Sequence, residues 1–347
     1  MRRRVTPWRV LGTIGVLLLI TFVILIRIPS GKYMLLVDGA HPVAPLVKVQ
    51  GARPAKPGQG KLYFVDVQEQ NASEFDVFLS WLHSHAPFIP AVHPHASFLP
   101  AGVLLGPCTT DAQANAVAVQ EMAFSQQVAA AVALRKLHYH VVVKPTGVIV
   151  SQLIGGTHAP CNLQPMDVIV AVNGTPTPTT ASLEAVLGPV TPGAVVKLRV
   201  RRDGKLLTVP IKTVVNPRTG RALVGFVPDQ SATFKLPRKV TIDANGIGGP
   251  SAGLAFTLEV MQQLGRNVLH GHKVAATGEM ELNGAVGPIG GIKQKTYGVR
   301  QAGADVFLVP AGKNAQDARK YAGPLRIIPV RSLDQALHDL ATLPPST

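Results

Sequence analysis

Ser251 stands in Gly249-Pro250-Ser251-Ala252-Gly253, ahead of an apolar stripe of Leu254, Leu258, Met261 and Leu264. The pattern G-x-S-x-G is that of a nucleophile elbow, which calls for an acid and then a histidine further along the chain. Few histidines follow: His270 and His272 fall in a predicted loop, and His338 on a predicted C-terminal amphipathic helix. A base of another kind is needed, and the stretch TGEMELNGAVGPIGGIKQKTYGVRQAGADVFLVP, residues 277–310, contains a candidate. Ile292, Lys295, Val299 and Ala302 recur at three- and four-residue spacing, so Lys295 shares the apolar face of a helix that stops at Gly303. Lys293 and Arg300 lie across that helix, where charges are solvated. Burial disfavours an ammonium ion, and a neutral amine accepts protons. To work near neutral pH, its pKa has to fall from about 10.4 toward roughly 7 or 8.

Pro250 suits the first turn of a helix that ends at Gly265, which puts Ser251 at the helix N-terminus. Unpaired N–H groups and the positive end of the helix dipole can there lower the hydroxyl's pKa and hold an oxyanion. The backbone around Gly249, Pro250 and Ala252 is the candidate oxyanion cradle. Taken alone, Ser251 reads first as an ordinary N-cap serine. Its pairing with a lysine on an apolar face is what points to chemistry.

The elements that carry these residues belong to a chain of 347 residues, 46% hydrophobic, long enough for two cored domains. The formal net charge is +15. No nucleic-acid-binding signature accompanies it, so nucleic acid is not an expected partner and an anionic lipid or envelope polymer fits better. Arg2, Arg3, Arg4 and Arg9 precede the uncharged run VLGTIGVLLLITFVILI, residues 10–26. As a helix this run reaches roughly 25 Å, enough to cross most of a bilayer core if Arg9 and Arg27 snorkel. It has no small-x-small cleavage site after it, so an uncleaved anchor is expected rather than a signal peptide. The basic flank then stays in the cytoplasm and the remainder lies outside.

Cys108 and Cys161 are far apart in sequence, and two unpaired core residues is the default expectation. The stretch WLHSHAPFIPAVHPHASF carries His83, His85, His93 and His95 at spacings that fit no ordinary zinc pattern, so no metal is expected. Residues 116–137 repeat apolar positions at helical spacing and predict a long helix. From His138 the texture changes to short β-branched runs broken by turns.

These runs, with GVIV at 147–150, LQPMDVIVAVNG at 163–174 and SLEAVLG at 182–188, resemble a PDZ domain of the permuted bacterial type. The resemblance implies a peptide groove in which Gly147, Val148, Ile149 and Val150 form the carboxylate-binding loop and first strand. The edge over residues 148–153 would accept an added strand, and Leu183 and Leu187 would wall the pocket.

GGPSAG together with GGIKQK resembles the proteolytic domain of Lon peptidases. That resemblance implies a Ser-Lys dyad of Ser251 and Lys295, with Thr277 of TGE orienting the lysine. The order of anchor, half-domain, PDZ and GGPSAG half is similar to the membrane-anchored PDZ-Lon proteins of the YlbL type. No G-x-x-x-x-G-K-[ST] sequence occurs, so no nucleotide or other cofactor is expected. Asp243 is the acid nearest upstream of the nucleophile and is not counted as catalytic.

The implied fold class is an α+β Lon-type proteolytic domain with a β-barrel-like PDZ domain, preceded by one transmembrane helix. The expected parts are a cytoplasmic flank (1–9), an anchor (10–28), the N-terminal part of the Lon-like domain (32–137), the PDZ domain (138–215) and the proteolytic domain (216–341). The expected activity is ATP-independent endopeptidase cleavage of unfolded or flexible extracytoplasmic protein segments, with the PDZ domain selecting substrates by C-terminal tails. A hexamer is implied by the resemblance alone. The alternatives are a membrane-tethered PDZ scaffold with an inactive Lon-like fold and, more remotely, an esterase using His338 as base.

Overall fold

The computed structural model describes residues 7–54, 57–86, 88–159 and 161–344, with the side chains of residues 7, 9, 10 and 18 outside the description. The chain divides into two compact units, one of Met1–Val37 and Val67–Leu104, the other of Asp38–Asp66 and Leu105–Thr347.

In the first unit, Pro7–Arg27 is a helix of 21 residues, followed by the strand Pro29–Pro42, whose residues from Asp38 on belong to the second unit. Among the described side chains of this helix Leu11, Ile14, Val16, Leu17, Leu19, Ile20, Val23, Ile24 and Ile26 are exposed, and Leu25 is partly buried. Among the described residues no helix is long and apolar enough to cross a membrane, and Val10 and Leu18 of the expected anchor lie outside the described side chains. Arg2, Arg3 and Arg4 lie outside the described residues altogether. Ser73 begins the helix Glu74–His85 with a capping box to Asp76, and Phe75 meets Phe22 edge-on at 4.8 Å. The histidines of this unit are spread over separate partners. His83 Nδ1 contacts the Ile89 carbonyl at 2.6 Å, His85 the Trp81 carbonyl at 2.9 Å, and His93 lies 3.6 Å from Asp76.

The second unit is built on parallel strands: Lys61–Ser73 beside Lys273–Ala276, then Val306–Pro310 and Arg326–Val330. Both faces are covered, which is why these strands read as near-continuous apolar runs rather than as alternating ones. Val274, Ala276 and Leu308 face one core with the helices Asp111–Lys136, Gly253–Gln263 and Leu333–Ala341. Ala275, Phe307 and Val309 face the other, with Ile292–Gln301 and Lys313–Tyr321. The long helix starts earlier than periodicity suggests, because Thr110 and Gln113 form a capping box that sets its first turn.

A second sheet, ordered Phe226–Lys235, Val142–Leu153, Val168–Val172, Val195–Arg202, Lys205–Lys212, encloses its own core with the helix Thr180–Leu187. This PDZ-like body extends past the expected limit at residue 215, because Phe226–Lys235 pairs along the full length of Val142–Leu153. It interrupts a single core: Val47–Val49 pairs with Val240–Ile242, and Leu62 and Phe64 pack in the same cluster as Leu254 and Leu258. Segments on either side of the inserted body therefore make one layer.

Cys108 and Cys161 are bonded to each other, contrary to the expectation of two unpaired thiols. The reason is tertiary. Gly106 lies so close to the strand end that a Cβ there would come 2.7 Å from the Leu153 carbonyl, and this approach brings Cys108 to the loop after that strand.

Candidate active site

Ser251 and Lys295 arrive from opposite faces of the parallel sheet and meet beyond the end of the strand Lys273–Ala276. Lys295 Nζ donates to Ser251 Oγ at 2.6 Å, with Lys295 only 3% exposed. The carboxyl ends of parallel strands are where such folds place their reactive groups, because loops diverge there to either face. On the nucleophile side the helix proper begins at Gly253, two residues after Ser251. Gly253 is required by close approach: a Cβ would come 2.8 Å from the Met280 nitrogen and 2.9 Å from Ser125 Oγ. On the lysine side the helix Ile292–Gln301 puts Ile292, Lys295 and Val299 on its buried face, as spacing predicted. Lys293 lies partly exposed, its amine 6.0 Å from the Tyr321 ring centroid, and Arg300 is exposed.

Thr277 lies in the turn that holds the nucleophile. Its hydroxyl donates to the Ser251 carbonyl at 3.1 Å and the Gly278 N–H joins it at 2.8 Å, so this turn positions the nucleophile's backbone. The oxyanion cradle also narrows. The Gly249 N–H is used by the Ala118 carbonyl at 2.7 Å, and Pro250 has no N–H. The Pro250 carbonyl accepts from Ser125 Oγ at 3.1 Å and from the Gly253 N–H at 3.2 Å. Among the described residues, the N–H groups of Ser251 and Ala252 donate to no backbone carbonyl and are the ones left to face developing negative charge. Asp243 instead accepts from the Asn245 N–H, within its own turn.

Three acidic residues beside this site were not foreseen. Burial, then Asp229, then Glu279 push the Glu121 carboxyl up to about 7. Burial, then Asp229, then Glu281 do the same to Glu279, again to about 7. Asp229 is raised as well, chiefly by burial. Ala118, Glu121 and Ser125 lie three and four residues apart on one face of the long helix, and that spacing was the available signal. The sign of the pH effect follows. A carboxyl raised from 4.5 to about 7 contributes stability that is fully present below pH 4.5 and lost as pH rises through 7. Glu121→Gln, neutral throughout, should therefore raise unfolding stability at pH 8 by about 1–3 kcal/mol and change it little at pH 4. Denaturant midpoints at the two pH values measure this, and a variant that tracks the wild type at both would remove the argument.

The start of the strand expected to accept a peptide is paired on both sides. Val148 and Ile149 pair with the strand Val168–Val172 on one side and with Gln230 and Asp229 on the other, so the 148–153 edge is not open to an added strand. The Gly147 N–H donates to the Pro178 carbonyl at 3.2 Å instead of standing free for a carboxylate. Val148 and Val150 are fully buried, as is Leu183 nearly so, while Leu187 is partly buried at the edge of that core. Phe226–Lys235 is one edge strand of this sheet and Lys205–Lys212 the other. Gln230 ties that strand to the start of the helix Thr180–Leu187, accepting from the Thr180 N–H and donating to the Pro178 carbonyl.

Residues 239–342 match the family model of the Lon protease (S16) C-terminal proteolytic domain, and residues 131–213 match a PDZ domain. The chain carries a serine peptidase domain of the Lon type. Lon protease 1 of Myxococcus xanthus is 32% identical over 154 residues, 40% of this chain and 19% of that protein. Lon protease 2 of Bacillus subtilis is 31% identical over 135 residues, 39% and 23% of the two chains, and Lon protease 2 of Thermus thermophilus 41% over 141 residues, 37% and 17%. The chain thus spans about a fifth of the length of the first two relatives. The PDZ domain of an SdrC-like protein from Listeria innocua is similar at 20% identity with a TM-score of 0.23, over 24% of this chain and 92% of that one. Within the Lon-type domain the serine and lysine are the pair in contact.

Proposed function

We propose that this protein is an ATP-independent Ser-Lys endopeptidase, anchored in the cytoplasmic membrane, that cleaves unfolded or flexible protein segments outside it. The observation that carries the reading is the 2.6 Å contact between a buried lysine amine and the Ser251 hydroxyl. Ser251 Oγ attacks a peptide carbonyl while Lys295 takes the hydroxyl proton, and the same amine returns that proton to the leaving nitrogen. The Ser251 and Ala252 N–H groups hold the oxyanion, and water then releases the acyl group. No nucleotide-binding loop sequence lies within these 347 residues, which supports turnover without ATP. Acting alone, the dyad would take extended segments, which can reach the hydroxyl of the partly exposed Ser251 beside a buried lysine.

The anchor reading rests on the helix Pro7–Arg27, most of whose described apolar side chains are exposed, and on the uncharged run over residues 10–26. The Cys108–Cys161 bridge supports an oxidising compartment for the catalytic domain. A cysteine at exposed Lys313 should react with an impermeant thiol reagent in intact cells; labelling only after lysis would reverse the topology. A ring of six copies rests on the Lon resemblance alone.

The PDZ groove is then the free edge of Phe226–Lys235 beside Leu187, where an extended C-terminal tail adds as a strand. The deciding assay incubates the full chain, in detergent and without nucleotide, with an unfolded protein bearing an apolar C-terminus. Fragments should accumulate. Leu187→Asp should slow this substrate while leaving a short peptide unaffected. Absence of any cleavage would favour the tethered scaffold, and equal rates in Leu187→Asp would count against the groove.

A further inference from the structure

Away from the dyad, a second group of side chains has the composition and spacing of a ligand set. Asp38 and His41 lie three residues apart on the strand Pro29–Pro42, and Asp66 lies on its neighbour in the sheet, Lys61–Ser73. His41 Nε2 is 3.2 Å from Asp66 Oδ1 and 3.8 Å from Asp38 Oδ2. One donor atom from each residue lies within 4.8 Å of the other two. We propose that Asp38, His41 and Asp66 bind one divalent transition-metal ion of the zinc class.

The geometry fits such an ion. Metal bonds of about 2.0–2.2 Å place tetrahedral ligand atoms roughly 3.3–3.6 Å apart, so the two observed separations bracket the edge of that tetrahedron. Three protein donors leave the fourth corner for water. An imidazole nitrogen with two carboxylate oxygens is a borderline donor set, better suited to zinc or manganese than to calcium, which prefers oxygen alone.

Charge points the same way. Among the described residues no lysine or arginine pairs with Asp38 or Asp66, and His41 is their shared neighbour. Asp66 is the more enclosed of the two, with 13% of its side chain exposed against 43% for Asp38. A bound dication would neutralise both carboxylates at once.

The donors are also held. The Gly39 N–H donates to Asp38 Oδ1 at 2.8 Å, which turns Oδ2 toward the imidazole, and the His41 ring lies 5.2 Å from the Phe64 ring centre. Behind them the Asp38 carbonyl presses on Gly298, where a Cβ would come within 2.5 Å of it. Gly298 lies one turn beyond Lys295 on the same helix, so an ion here would brace the strands against the element that carries the base.

The test is zinc titration of the full chain in detergent micelles after chelator treatment, followed by calorimetry and by the thermal midpoint. The wild type should bind one ion per chain with a dissociation constant in the micromolar range or tighter, and its midpoint should rise with zinc. His41→Gln and Asp38→Asn should each weaken binding at least tenfold and lose the thermal rise. Asp38 is exposed enough for its variant to fold, and an unchanged circular dichroism spectrum and metal-free thermal midpoint report that fold. The double variant His83→Gln, His85→Gln, in the histidine-rich stretch, should bind as the wild type does. Cobalt should give the visible absorption of a four-coordinate site in the wild type and lose it in His41→Gln. No saturable binding, binding unchanged in His41→Gln and Asp38→Asn, or binding lost in the His83/His85 double variant would each overturn the proposal. None of these readouts depends on the peptidase reading being right.

Discussion

Lys295→Arg should lose nearly all turnover and remain folded, while Lys293→Ala should retain most of it. The Lys295 amine is 3% exposed and donates to Ser251 Oγ, so it is the only lysine of the motif placed to take the hydroxyl proton. Arginine keeps a cation there but holds its proton at every usable pH and cannot act as base. Ser251→Ala should be as inactive, and the double variant no worse than either single one, since the two residues act as a unit. A loss of about three orders of magnitude or more is the scale expected for such a pair. In the wild type kcat/KM should rise through a group titrating below a free lysine, a limb that Lys295→Gln removes. Lys293 faces the Tyr321 ring, away from the serine, and its removal should cost little. Activity surviving in Lys295→Arg, or death of Lys293→Ala instead, would break the dyad assignment.

Arg202→Ala should produce the largest loss of stability in the PDZ body. The Asp167 side chain is fully buried and accepts two hydrogen bonds from Arg202, Nε at 2.7 Å and Nη2 at 2.6 Å, and one from the Gln164 N–H at 2.9 Å. Removing the guanidinium leaves a carboxylate in the interior with a single backbone donor. Breaking a buried pair from one side costs about 3–5 kcal/mol. Arg202 is 22% exposed, so water can reach part of the vacated space and about 2–4 kcal/mol is expected here. Faster amide exchange across Val168–Val172, at unchanged dyad geometry, is the readout. Asp167→Asn should be milder, because it removes the fully buried charge and leaves Arg202, which is 22% exposed, open to solvation by water. A variant as stable as the wild type would mean that the pair contributes specificity rather than stability.

Much of the site was legible because helices announce themselves locally. The face of Lys295 follows from a 3.6-residue period, and Gly303 ends that helix with a φ of 64°, as a left-handed C-terminal residue does. The paired motifs around Ser251 and Lys295 carried the family. Local pattern failed wherever a backbone group's partner is distant. Gly249 looked free to hold an oxyanion until its N–H was found on Ala118, and Ser125 supports Pro250 from 125 residues away in sequence. Phe226–Lys235 was missed as part of the second sheet because Pro228 interrupts it and its partner strand ends over 70 residues earlier.

By itself the sequence determined the helices after Ser251, around Lys295 and over residues 116–137, the faces they bury, and the serine and lysine motifs. These depend on periodicity within ten or so residues, where side-chain direction follows directly from backbone geometry. Tertiary structure alone decided which N–H groups face the reacting carbonyl, which strands lie at the edges of the second sheet, that Cys108 meets Cys161, and that Asp38, His41 and Asp66 converge. Each of those is a contact between segments distant in the chain. Such contacts are set by how two helical layers and an inserted sheet fill space together, and no short window of residues contains that information.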